Sequence, residues 1–190
     1  MLEMTEKVYN TAQIRMLEQM ASSEQLSAWE LMQRAGRATF DHISKQWPTS
    51  QGICVVCGAG NNAGDGYIIA ALAQAWGWRV EVVYLHDPAH LPSPADQAYQ
   101  TFVETGGRSS AWQGKLPVAD VYIDALLGIG LTREVDGHYK KAIQALNMVD
   151  KPVVAVDVPS GLSAETGCVL GVAVKASMTV TYIGLKQGLL

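Results

Sequence analysis

The chain has 190 residues, 48% of them hydrophobic and 17% charged, which suits one globular domain large enough to bury a core. Its net charge of -4, with no clustered Lys or Arg, excludes a nucleic-acid binder, because phosphate contacts need a basic footprint. No apolar run reaches the roughly 18 residues of a membrane span. The opening "MLEMTEKVYN" lacks the apolar core of a secretory signal, so the expected location is cytoplasmic.

Residues 10–21 read as a first helix, begun by Asn10 with Gln13 in capping position. It carries Ile14, Leu17 and Met20 on one face, which suits packing on the core or on a second subunit. A second helix starts at Ser27, where Glu30 completes the capping box Ser-x-x-Glu. In it Met32, Ala35, Phe40, Ile43 and Trp47 recur at helical spacing, and Pro48 ends it. From residue 53 strands alternate with helices. "ICVVC" is a strand, and "GDGYIIAALAQAW" is a helix stopped by Gly77. "RVEVVYL" is the next strand. Ser93 as N-cap, Pro94 at the first helical position and Asp96 open a helix that ends near Gly106. "VADVYID" (118–124) is a strand, and 138–149 is a helix with Ala142, Ile143, Leu146 and Val149 inward. "PVVAVDV" and "MTVTYIGL" are the last two strands. Val- and Ile-rich strands alternating with helices predict an α/β domain whose mostly parallel sheet is covered on both faces.

Cys54 and Cys57 have Cys-x-x-Cys spacing, but positions three apart on a strand point to opposite faces. They are expected to be core thiols, as suits a reducing compartment. His42, His86, His90 and His138 have no metal-ligand spacing and are expected at the surface or in loops. No Gly-x-Ser-x-Gly elbow occurs, which disfavours nucleophilic hydrolysis.

Ligands of open α/β sheets bind outside the carboxyl ends of the strands, so the residues following each strand matter most. They are Asn61, Asn62 and Asp65 after the first, Asp124 and a glycine loop after "VYID", Asp157 with Ser160 after "VVAV", and Lys186 after the last. Each alone has an ordinary explanation. Gly58, Gly60 and Ala63 fit a tight strand-to-helix turn as well as a dinucleotide loop. The acid about 20 residues on that a dehydrogenase needs for ribose is not in place, and no Walker-type Gly-Lys-Ser/Thr follows. Asp124 suits a helix cap and Asp157 a turn, and a lone Lys186 suits a solvated surface. Taken together, Asn62, Asp124 and Ser160 offer the oxygen ligands that hard cations prefer.

The blocks "GAGNNAGDGY", "DALLGIGLTRE", "VVAVDVPSGLSAETG" and "TYIGLKQGLL", in this order, resemble the NAD(P)H-hydrate epimerases, the YjeF N-terminal domain family. The resemblance implies a Rossmann-like three-layer α/β/α sandwich with two N-terminal helices, a single domain over 1–190, and a homodimer. It implies epimerisation at carbon 6 of hydrated NADH and NADPH. A functional partner dehydratase uses only the S form and is often fused behind such a domain. It further implies one K+ per subunit held by Asn62, Asp124 and Ser160. Substrate would be held by Asn61, Asn62, Ala63, Gly64 and Asp65, by Gly128, Ile129, Gly130, Leu131, Thr132, Arg133 and Glu134, and by Tyr139 and Asp157. Asp157 is then the expected acid/base and Lys186 its catalytic partner. Two rival readings remain: a non-catalytic dinucleotide-binding and dimerisation module of the same fold, and a nicotinamide-dependent dehydrogenase.

Overall fold

The computed structural model describes residues 7–23 and 26–190. Strand β1 (Val8–Tyr9) leads into helix α1 (Thr11–Ser23), which starts on a reciprocal pair. The Gln13 amide donates to Asn10 Oδ1 at 2.8 Å and the Asn10 amide to Gln13 Oε1 at 2.9 Å. Helix α2 (Ala28–Gln46) opens on the expected capping box of Ser27 and Glu30. Its buried stripe is Met32, Gly36, Thr39, Phe40 and Ile43.

Six strands form one parallel sheet: β2 (Gly52–Cys57), β3 (Arg79–Tyr84), β4 (Ser109–Ala111), β5 (Val121–Ala125), β6 (Val153–Val156) and β7 (Met178–Val180). Their order is β4-β3-β2-β5-β6-β7. Helices α3 (Asn61–Ala75) and α4 (Ala95–Glu104) connect the first half, and α5 (Gly137–Asn147) the second. One core cluster joins α2, α3 and α4 to one sheet face through Ile53, Val55 and Cys57; the other joins α5 to the opposite face through Cys54 and Val56. Strand alternation therefore separates the two thiols, as the sequence predicts. The result is three layers, and α3 lies so deep that nearly every residue from Asn62 to Ala73 is buried. The chain winds outward from β2 in both directions. That makes the carboxyl ends of β2 and β5 the switch point at which such sheets form a crevice.

Several elements depart from the sequence reading. Helix α3 begins at Asn61, capped by Gly60, and not at Gly64; the turn is confined to Gly58–Gly60. Helix α4 begins at Ala95, with Pro94 and not Ser93 in the capping position, because the Asp96 amide donates to Pro92 O at 3.1 Å. Strand β5 starts at Val121, since the Tyr122 hydroxyl donates to Pro117 O at 2.8 Å and ties 117–120 into a loop. "MTVTYIGL" is not one strand. After β7 the backbone turns through Ile183, whose φ of 65° lies outside the strand region, and enters β8 (Leu185–Lys186). This pairs with β1 in a separate two-stranded parallel sheet. Strands β1 and β4 escape notice in the sequence because two or three residues carry no alternation. All four histidines are exposed. Among the described residues no helix is long and apolar enough to cross a membrane.

Candidate functional site

A cavity of about 540 Å³ opens at the switch point, within the size range of small-molecule sites. The first turn of α3 supplies Asn61, Asn62 and Asp65; the loop after β5 supplies Leu126 through Arg133; Tyr139 comes from α5. Asp157, Tyr182 and Lys186 close one side, and Arg15 and Glu18 of α1 stand at the rim.

Asp157 follows β6 with φ 68°, a left-handed conformation that aspartate tolerates better than most residues. Its amide still reaches across to Val180 O at 2.8 Å, so the turn continues the sheet's pairing while the side chain is swung into the cavity. Lys186 is 1% exposed. Its ammonium donates to Asp157 Oδ1, to Thr181 Oγ1 at 2.9 Å and to Tyr182 O at 2.6 Å. Lys186, expected at the site beside Asp157, is thus a buried ion-pair partner and not the solvated charge that a lone strand-end lysine would be. Burying it demands this full set of acceptors.

Asp124 is wholly buried at the end of β5. The Ser160 amide donates to its Oδ2 at 2.8 Å and the Ser160 hydroxyl to its Oδ1 at 2.6 Å. The Leu127 amide donates back to Ser160 Oγ at 2.8 Å, and Asn62 Nδ2 donates to Leu127 O at 3.2 Å. Asn62, Asp124 and Ser160, remote from one another in sequence, therefore meet around one short piece of backbone. Burial pushes the Asp124 carboxyl up to about 6, against hydrogen bonds from Ser160 and the Leu126 amide that pull it down. Among the described residues no cationic side chain pairs with it.

Not every expected contact residue faces the cavity. Ala63 and Gly64 point into the core, where a side-chain carbon on Gly64 would come within 2.6 Å of Met32; one helical turn cannot present five successive residues to one face. Glu134 is exposed beside a smaller hollow next to Asp136. Conversely, Arg15, Glu18 and Tyr182 line the cavity without having been singled out. On α1 nothing separates Arg15 and Glu18 from a solvated helix face, and Tyr182 is hidden inside an apparent strand.

Asp65 is 9% exposed. Burial raises its carboxyl well above the ordinary range, and the charges of Asp157 and Glu18 raise it further. Below the unfolded value both states are protonated, and as pH rises the unfolded state ionises first, so stability falls. Asp65→Asn is therefore expected to raise the unfolding midpoint at pH 7–8, the gain vanishing near pH 4, where thermal melts of both proteins should coincide. A stabilising substitution inside a cavity is the usual mark of a functional group kept at a cost.

A crevice at the switch point of a parallel sheet, lined with glycine loops, oxygen donors and a buried ion pair, defines a doubly wound α/β domain with a ligand crevice at its strand ends. The chain belongs to the family described as YjeF-related protein N-terminus, whose model matches residues 28–188. The yeast protein ynu0 has the same fold, with a TM-score of 0.83 over 96% of this chain and 83% of that one, at 18% identity. The bifunctional NAD(P)H-hydrate repair enzyme Nnr of Vibrio cholerae is 49% identical over 95% of this chain, which spans 37% of that enzyme's length. The NAD(P)H-hydrate epimerase of Limosilactobacillus fermentum is 40% identical, over 98% of this chain and 90% of the enzyme.

Proposed function

We propose that this domain interconverts the R and S forms of hydrated NADH and NADPH at carbon 6, as a step in nicotinamide cofactor repair. The observation that carries the reading is the single cavity in which the Asp157–Lys186 pair faces the glycine loop and the first turn of α3. Relatives named for this reaction cover nearly the whole chain. Carbon 6 of the hydrate bears a hydroxyl and the ring nitrogen. Loss and return of the hydroxyl, or opening and reclosure of the ring, both require a proton transfer at that oxygen and no redox partner. Asp157 is the group placed to move that proton, and Lys186 holds its carboxylate in the cavity and stabilises oxygen charge. Asn61, Asn62, Asp65, Tyr139 and the loop Gly128–Arg133 bind the substrate. Gly128 and Gly130 leave backbone amides free to approach its phosphates.

The donor set at Asn62, Asp124, Leu127 and Ser160 fits a hard monovalent cation: all-oxygen, one carboxylate, no imidazole or thiolate. Potassium there would supply fixed positive charge that offsets the carboxylates lining the cavity. Melts in KCl and in choline chloride of equal ionic strength test this. A hundredfold excess over Kd is expected to stabilise the wild type by about 2.7 kcal/mol and Asp124→Asn not at all; equal melts for the wild type in both salts would remove potassium.

A homodimer is supported by the exposed Met16 of α1, the buried free thiols Cys54 and Cys57 suit the cytoplasm, and the bifunctional character of the Vibrio enzyme supports a second repair activity, a dehydratase, as functional partner. The deciding experiment incubates the pure R hydrate with the protein and follows the S form by chromatography. Binding without interconversion would favour the non-catalytic module, and hydride transfer to a carbonyl substrate would favour a dehydrogenase.

A further inference from the structure

The catalytic lysine does not hold its own position. Lys186 lies on β8, which contributes only two residues to a sheet whose other strand is β1. The register sets Tyr9 directly opposite Lys186. The Tyr9 ring covers Gly184 so closely that a side-chain carbon built there would lie 2.5 Å from Tyr9 Cδ2 and 3.5 Å from Ile14 Cδ1. Ile14 is itself 1% exposed, so this ring-and-methyl cover reaches the core. The strand is anchored just downstream, where the Thr11 amide and hydroxyl both donate to Glu165 Oε2, at 2.9 and 2.8 Å. Beneath the cover, the turn 181–184 includes Ile183 at φ 65°, a conformation that β-branched residues avoid and hold only when their surroundings impose it. That same turn supplies two of the three acceptors of the Lys186 ammonium, Thr181 Oγ1 and Tyr182 O. The segment carrying Tyr9 precedes residues 28–188, the span that the family model matches.

We propose that Tyr9 is a positioning residue for the reaction, its ring clamping the 181–186 turn so that Lys186 stays buried against Asp157. The inference rests on the assignment of Asp157 and Lys186 as the reacting pair. The ring and not the hydroxyl acts, because the contact with Gly184 is made by ring carbons.

The test uses the full chain with Tyr9→Ala and Tyr9→Phe, and Tyr9→Leu should the alanine variant not fold. Two readouts are taken: epimerisation kinetics, and competitive acetylation of lysines quantified by mass spectrometry, with exposed Lys45 as internal reference. Tyr9→Ala is expected to label Lys186 severalfold faster than the wild type, with unchanged Lys45. Its kcat is expected to fall about tenfold with KM little altered, as small misplacements of reacting groups do. Tyr9→Phe is expected to restore both. A folded Tyr9→Ala or Tyr9→Leu protein with wild-type labelling of Lys186 overturns the inference. Faster labelling with undiminished kcat upholds the clamp and instead sinks the assignment of Lys186 to the reaction.

Discussion

Asp157→Asn is expected to lower the turnover of hydrated NADH at least about tenfold, a floor beneath the roughly 10²–10⁴-fold that a positioned acid or base contributes. The substitution is nearly isosteric. Asparagine keeps an oxygen for the Lys186 ammonium, which retains Thr181 Oγ1 and Tyr182 O as acceptors, so the turn 181–186 should hold. What disappears is the acid/base proposed for the hydroxyl oxygen on carbon 6. Breaking a buried ion pair costs about 3–5 kcal/mol when the partner is left stranded. Here the loss should be smaller, because the Asp157 side chain is 14% exposed and the amide oxygen replaces the lost contact. Steady-state kinetics with the separated R form, beside a urea melt, distinguishes the two effects. A folded variant with unchanged kcat would remove Asp157 from the mechanism.

Gly58→Ala is expected to be among the most damaging small substitutions in the molecule. Gly58 directly follows β2, and its amide donates to Ala125 O at 3.0 Å. A side-chain carbon there would lie 1.9 Å from Leu126 O and 2.8 Å from Leu126 C. The obstacle is backbone just past the end of the neighbouring strand β5. It cannot yield without dragging the Leu126–Leu127 segment, whose amides bond Asp124 and Ser160 and whose Leu127 carbonyl receives Asn62. Overpacking of this kind costs roughly 3 kcal/mol or more, read as a lowered urea midpoint, together with loss of the cation site. Gly60 supplies the control. Nothing lies within 4 Å of its added carbon, and its φ of -123° suits any residue. Gly60→Ala should therefore stay within about 1 kcal/mol of the wild type, the cost of a poorer N-cap. Equal midpoints for Gly58→Ala and the wild type would show that the two strand ends are looser than their contact implies.

The two substitutions probe different levels of the same design. Asp157 sits on a strained turn whose only evident benefit is where it sends the carboxylate. Gly58 sits where two strands approach closely enough to bring their loops together.

The sequence by itself determined the α/β class, the capped starts of α1 and α2, the separation of Cys54 from Cys57 across the sheet, and which strand ends carry polar chemistry. These are readable because they depend on local periodicity and side-chain capping, which act over a few residues. The convergence of Asn62, Asp124 and Ser160 followed from the strand-end argument only as an expectation, and the sheet order gave it a place. Only the tertiary structure decided that Lys186 is buried, that "MTVTYIGL" breaks at Ile183, and that Arg15, Glu18 and Tyr182 join the cavity. Each depends on contacts between segments remote in sequence: β8 exists because β1 pairs with it, and Asp157 draws the turn 181–186 around itself. Neither leaves a periodic trace in the chain, because a charge is buried by what surrounds it, and its surroundings are assembled only when β1 meets β8.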